Sequence, residues 1–289
     1  MKDFPIPVRP AGPGSQPADE AELDYVPIPR DVPTFSMPRL PQDADAANMR
    51  AARDLLARFV DGMAAGAPKF DLAGFHAGGL EVLNQTLGEG EVAIRIADAA
   101  ALNGGGAVDV RIQETVFAGV WRERHVDGDG RLVHDYLQAC GIPQIAIDAA
   151  RRAASLNVPA LEMPSGAMNA PALLAEIREQ LRRYRPRRAP HVINLTLLPL
   201  TPDDHRVLER AIPPGPVAIL SRGFGNCRIT STGLANLWRV QYFNSMQTLI
   251  LNTIEVVTVP EVALAAPEDL ADSRERLAEL LDWMKEATA

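Results

Sequence analysis

Residues 219–262 read ILSRGFGNCRITSTGLANLWRVQYFNSMQTLILNTIEVVTVPEV, and a fainter copy of this stretch lies upstream. Sliding the chain by 117 positions brings Arg111, Ile112, Thr115, Ala118, Trp121, Arg122, Leu132, Pro143, Ala146 and Ala149 onto Arg228, Ile229, Thr232, Ala235, Trp238, Arg239, Leu249, Pro260, Ala263 and Ala266. Several mismatches stay apolar, among them Val120/Leu237, Val133/Ile250 and Leu137/Ile254. Two of the chain's three tryptophans coincide. We read this as an internal duplication, which must be recognised before a fold is assigned.

Working outward, each copy alternates in the manner of strands. In the later copy, residues 217–222, 226–231, 238–243 and 249–257 alternate or run apolar, with residues 244–248 as a hairpin turn. In the earlier copy the strands are 91–96, 108–116, 119–126 and 131–139. Asp127-Gly-Asp-Gly130 closes a hairpin, because glycine tolerates positive φ. The upstream strands match at offset 125 (Val92/Val217, Ile94/Ile219), so the earlier copy carries eight extra residues around Asn103-Gly-Gly-Gly106. HVINLTLLPL from His191 reads as a buried strand by its apolar run.

Helices flank the strands. Met49, Ala52, Leu55, Leu56, Phe59, Val60 and Met63 recur at helical spacing over residues 45–65, with Asp45 at the start and Gly66 and Pro68 at the end. Residues 77–87, 143–156, 171–183 and 201–212 form further helices, and 267–285 a terminal one. The fold class is therefore α+β: two related copies of an antiparallel four-stranded sheet with flanking helices. Residues 1–44 form a Pro-rich extended tail, 45–156 the first repeat, 157–190 a connector and 191–289 the second repeat. Proline removes backbone donors and fixes φ, so the tail joins neither helix nor central strand.

Composition narrows the function classes. A net charge of −8 and pI near 5.2 speak against nucleic acid as the main partner. No run of 18 apolar residues spans a membrane. The N-terminus shows no secretory signal, so a cytoplasmic location is expected. Cys140 and Cys227 are too few for a zinc or iron–sulfur site, do not align in the repeat, and would stay reduced in such a compartment. His76, His125, His134, His191 and His205 are scattered, and His125 with His134 reads as a surface pair on a hairpin. No nucleophilic triad, phosphate loop, metal set or cofactor site is legible.

The best binding candidate is Arg222, Gly223, Phe224, Gly225, Asn226, Cys227 and Arg228. Two glycines permit a tight turn, successive amides can cradle an anion, and flanking arginines would lower a thiol pKa. Alternation puts Cys227 with apolar Ile229 and Arg228 on the other face. Cys227 is thus either a packed core residue, an interaction or redox residue, or a nucleophile. Arg182, Arg183, Arg185, Arg187 and Arg188 end the connector helix; they are a solvated helix end or a docking patch for an acidic partner.

ILSRGFGNCRITST, WRVQYFNS from Trp238 and LILNTIEVVTVPEVA from Leu249, with ETVFAGVWR from Glu114 and GPGSQP in the tail, resemble the HupH/HyaF/HoxQ-type hydrogenase expression/formation proteins. The likeness is most specific in the second repeat, which resembles that family's C-terminal domain. The resemblance implies an accessory protein or chaperone, not an enzyme, for maturation of an uptake [NiFe] hydrogenase. It implies action on the iron–sulfur small-subunit precursor before export, a thioredoxin-like accessory companion, and a link to oxygen tolerance. It supplies no catalytic residues. The alternative from the residues alone is a Cys227-dependent redox or small-anion-binding enzyme.

Overall fold

A computed structural model describes residues 45–97, 109–152, 154–222 and 226–286. The Pro-rich tail, the Asn103 glycine loop and the Gly223-Phe224-Gly225 turn lie outside the described residues. The elements follow in order: α1 (Ala46–Ala65), β1 (Lys69–Asp71), α2 (Ala77–Leu87), β2 (Val92–Ala97), β3 (Asp109–Glu114), β4 (Val120–Val126), β5 (Leu132–Ala139), α3 (Gln144–Arg152), α4 (Ala170–Arg183), β6 (His191–Asn194), α5 (Pro202–Ala211), β7 (Pro214–Ser221), β8 (Asn226–Thr232), β9 (Leu237–Phe243), β10 (Leu249–Val256) and α6 (Pro267–Glu286).

Local chemistry sets the helix starts. The Asp45 carboxylate accepts from the Ala47 amide, and His76 Nδ1 accepts from the Gly79 amide at 3.0 Å. Thr201 and Asp204 form a reciprocal capping box on α5. Asp204 also accepts from the Asn169 and Ala170 amides, tying the start of α4 to that of α5. Burial alone would raise its pKa, but these amides and Thr201 hold it below the usual carboxylate range.

The ten strands among the described residues form one antiparallel sheet in the order β1-β5-β4-β3-β2-β7-β8-β9-β10-β6. Strands β3, β4 and β5 begin at 109, 120 and 132; β8, β9 and β10 begin at 226, 237 and 249, each 117 residues later. The halves meet edge to edge through β2 and β7, where Ile94 lies opposite Ile219. Each half contributes five strands, not four. The sequence missed β1 because Lys69–Asp71 is too short to alternate. The expected buried strand HVINLTLLPL is instead a four-residue edge strand with Val192 49% exposed, followed by a 3-10 turn at Leu195–Leu197. Only an edge position leaves room for such a break in the ladder. Pro260 opens a 3-10 turn (Glu261–Ala263) rather than a full helix, so its match to Pro143 is partial.

One sheet face carries a core that runs across both halves: Ile94, Val110, Ile112 and Trp121 with Ile219, Cys227, Ile229 and Trp238, under Ala146 and Ala263. Each buried indole donates to a main-chain carbonyl, Trp121 to Cys140 at 2.9 Å and Trp238 to Thr258 at 3.1 Å. The opposite face holds two separate cores. One joins α1, α2 and α6 through Leu56, Phe59, Leu83, Leu277 and Met284. The other joins α4 and α5 through Leu174, Ile177, Val207 and Leu208.

The last segment of each half crosses to the other. The Ala265 amide donates to Gly141 and Ser273 Oγ to Ala118, which seats α6 on the first half. The Ser155 amide donates to Gly233, and Ala235 donates back to Ser155, which seats the chain after α3 on the second. Gly119 sits at this crossing with φ 75°, and a Cβ there would lie 2.5 Å from Leu270 of α6. Glycine meets both demands, a left-handed φ and a close approach. No described helix is long and apolar enough to cross a membrane.

Candidate functional site

Of the segment from Arg222 to Arg228, the structure describes Arg222, Asn226, Cys227 and Arg228. They do not converge on one reaction centre. Cys227 is 3% exposed and sits in the shared core at the position that Val110 holds 117 residues earlier. Burial pushes its thiol up to about 11; the hydrogen bond with Tyr242 lowers it only partly, and Glu255 adds to the rise. The expectation that neighbouring arginines depress this thiol is therefore overturned. Alternation along β8 sends Arg228 to the other sheet face, where its guanidinium lies 5.3 Å from the Phe243 ring centroid. Among the described residues its Nε is buried there without a hydrogen-bond partner. Arg222 is half-buried, and its amide donates to Glu91 at 3.2 Å. Cys140 is also a free thiol, pushed by burial up to about 12.

Cys227 does line a cavity of about 280 Å³ beside the shared core, together with Tyr242, Ser221, Glu91, Glu114 and Asp269. Glu114 is buried and accepts from the Gly119 amide at 2.8 Å. Burial, outweighing that hydrogen bond, pushes its carboxyl up to about 7, with Glu91 and Asp269 adding repulsion. No local pattern marks this group, because an acid at a strand end reads as exposed.

The five connector arginines all stay exposed at the end of α4. Arg182 donates twice to Glu179 at 2.9 Å, and Arg183 pairs with the same carboxylate. Arg185 donates to the Tyr184 carbonyl at 2.7 Å, and Arg187 takes a left-handed φ of 65°. His191 of β6 contacts Glu176 of α4 at 2.7 Å, so this helix runs beside the β6 edge.

His125 is the clearest misplacement. Expected at the surface, it is buried against Glu123 at 2.7 Å, and its ring is edge-on to His134. Lys69 of β1 and Gln138 complete the shell around Glu123. Burial opposes the charge on Glu123, yet the His125 and Lys69 hydrogen bonds leave its pKa below the ordinary value. The missing signal was β1, whose Lys69 pairs with Gln138 and covers this end of the sheet.

Two further features escaped the sequence reading. Leu197, Met246 and Ile250 are 78%, 79% and 56% exposed on or beside β10 and its hairpin, next to the β6 edge. On the face of the sheet that carries the helix-covered cores, Arg95, Arg111, Arg122 and Arg124 line a groove of about 640 Å³. Strand alternation in RIQ from Arg111 and RER from Arg122 was the signal for the second feature, legible only once register is known.

A family model described as the HupH hydrogenase expression protein, C-terminal conserved region, matches residues 54–155 and again 167–284. The sequence had placed that likeness chiefly in the second half; the same model matches both. The chain is 44% identical to the hydrogenase expression/formation protein HoxQ of Cupriavidus necator, over 98% of this chain and 99% of that one. It is 42% identical to the hydrogenase expression/formation protein HupH of Rhodobacter capsulatus, over 99% and 100%. A solved structure of the hydrogenase expression protein HupH from Thiobacillus denitrificans is 30% identical, with TM-score 0.37, covering 41% of this chain and 97% of that one.

Proposed function

Because the chain belongs to the HupH-type family of hydrogenase expression/formation proteins, we propose that it serves hydrogenase maturation by holding a polypeptide rather than by turnover. The client is the iron–sulfur small-subunit precursor of an uptake [NiFe] hydrogenase before export. Holding it in the cytoplasm shields the assembling subunit from oxygen, with a thioredoxin-like accessory protein as a second partner.

One observation carries this reading: the outer edge of the second half. β6 is a short edge strand whose outer side no described strand pairs. Leu197, Met246 and Ile250 add exposed apolar area beside it. An unpaired edge with flanking apolar side chains is a template for an added strand or an apolar peptide. The basic end of α4 supplies charge for an acidic stretch of the same client. The Arg222–Arg228 segment stays a candidate second contact. A packed thiol at about 11 weighs against the Cys227-dependent redox alternative.

The two halves are products of one duplication, with units at 45–156 and 191–289 joined by 157–190. The matching strand starts and the double family match support this origin.

The test is co-purification with the small-subunit precursor. Leu197→Asp with Ile250→Asp should cut recovered precursor by on the order of tenfold, since desolvated apolar anchors dominate such contacts. Full recovery by this double variant, folded as judged by circular dichroism, would move the docking surface elsewhere. Absence of the precursor from the wild-type eluate would end the chaperone reading.

A further inference from the structure

Strands β8 and β9 set four polar side chains in one block on the face that α5 covers. Thr230 lies directly opposite Arg239, and Arg228 directly opposite Gln241. Alternation puts all four on one side of the sheet. Thr230 is 6% exposed and Gln241 7%. Among the described residues neither side chain makes a hydrogen bond, and the buried Arg228 Nε has no partner. Buried polar groups are almost always paired, because an unmade hydrogen bond loses hydration without replacement. Three such groups side by side mark a place for a ligand rather than a finished core. At the position of Thr230 the first half has Gln113, whose amide donates to the carbonyls of Gly90, Val92 and Glu114. The second half has no such closure at Thr230.

Thr230 and Arg239 also floor a cavity of about 170 Å³, walled by Leu195, Leu208, Ile212, Pro214 and Ile254. A cavity of this size holds an apolar body of about six non-hydrogen atoms. His205 and Glu209 of α5 complete its rim. Glu209 is the one carboxylate among the described lining residues, against the two arginines of the block. Arg239 already meets Asn252 at 3.1 Å and supplies charge. Thr230, Gln241 and Arg228 supply the unmet donors.

We propose that this block and its cavity bind a small carboxylate with a compact apolar body. The carboxylate takes the Thr230 hydroxyl, the Gln241 amide and the charge of the arginines, and the body lies among the leucines and isoleucines. A few polar groups on an apolar pocket are the usual make-up of a small-molecule site. Guanidinium groups beside neutral donors suit a planar oxyanion. The inference stands apart from the β6 edge and from the identity of any client.

Calorimetric titration of the full chain with 4-methylpentanoate and with 4-methylpentanamide tests it. The acid should bind saturably and the amide on the order of tenfold more weakly, since hydrogen bonds to a charged group are the stronger kind. Thr230→Val and Gln241→Met should each weaken binding of the acid by on the order of fivefold. Both should melt at or above the wild-type temperature, because each removes a buried group that lacks a partner. Ile212→Phe, on the cavity wall, should abolish binding of acid and amide alike. No saturable binding of the acid by the wild type would overturn the proposal. So would equal binding of acid and amide, which would make the cavity a purely apolar site. Lower melting temperatures with unchanged affinity in Thr230→Val and Gln241→Met would give the block to buried water, and would end the proposal as well. N-acetyl-leucine binding more tightly than the bare acid would assign the carboxylate to a polypeptide C-terminus, and the reverse order to a free small acid. Either order supports the site.

Discussion

Arg122 and Arg239 occupy corresponding places in the two halves, 117 residues apart, and they are held differently. Arg122 is buried and donates to Asp135 through Nε and Nη2, with Nη1 on Asn84 of α2 at 2.9 Å. Arg239 meets Asn252 at 3.1 Å, and Asn252 stands where the first half has Asp135. The same contrast recurs on the other face, where Glu123 and His125 correspond to Val240 and Tyr242. At these corresponding positions the first half carries buried charged groups where the second carries Asn252, Val240 and Tyr242. The backbone repeat constrains where a side chain points but not its charge. The first half pairs its buried charges with one another, whereas the second half leaves apolar side chains exposed beside its edge strand.

The sharpest way to break this comparison is to remove each arginine. Arg122→Leu strands the buried Asp135 carboxylate and should cost about 3–5 kcal/mol. Arg239→Leu leaves the buried but neutral Asn252 amide without this donor, and should cost about 1–2 kcal/mol. Urea unfolding of both variants measures the difference. Equal losses would mean that the two arginines do the same job, and the contrast between the halves would fail.

A smaller effect follows from Glu114, whose counterpart in the second half is Ser231. Its carboxyl titrates about 7 when folded and 4.5 when free. A raised acid pKa means that the folded state holds the extra proton in this window. Stability from this group is full below pH 4.5 and falls as pH rises towards 7, by on the order of 2 kcal/mol. Glu114→Gln keeps an oxygen for the Gly119 amide but cannot ionise. It should flatten the decline, so that near pH 7.5 the variant is the more stable protein. A parallel fall in both proteins would place the titration elsewhere.

Much of the fold was legible because it repeats. The helices at α1, α2 and α5 and the hairpins of β4–β5 and β9–β10 follow from spacing, caps and turn residues. What escaped depends on neighbours that no local pattern names. β1 is three residues long and acquires its role from β5. His125 looked superficial because Lys69, which covers its neighbour Glu123, approaches from a distant chain position. The HVINLTLLPL run looked buried because hydropathy does not reveal an edge. The candidate segment around Cys227 was found for its glycines and arginines, but only strand alternation separates its thiol from its charges. The arginine-lined groove required cross-strand register, which sequence periodicity cannot supply.

The mildest test bears on Cys227. At the equivalent position the first half has Val110, buried in the same core. Valine and cysteine are close in volume, so Cys227→Val should shift stability by less than about 1.5 kcal/mol. If the thiol only fills space, hydrogenase yield in cells carrying this variant should match the wild type, and alkylation of native protein at neutral pH should be slow, as a thiol at about 11 demands. The Tyr242 hydroxyl then loses one partner and turns to the cavity. A variant of unchanged melting temperature that matures no hydrogenase would reverse the conclusion. The second half would then hold a chemical function where the first holds a methyl group, and the divergence between the halves would extend from charge to reactivity.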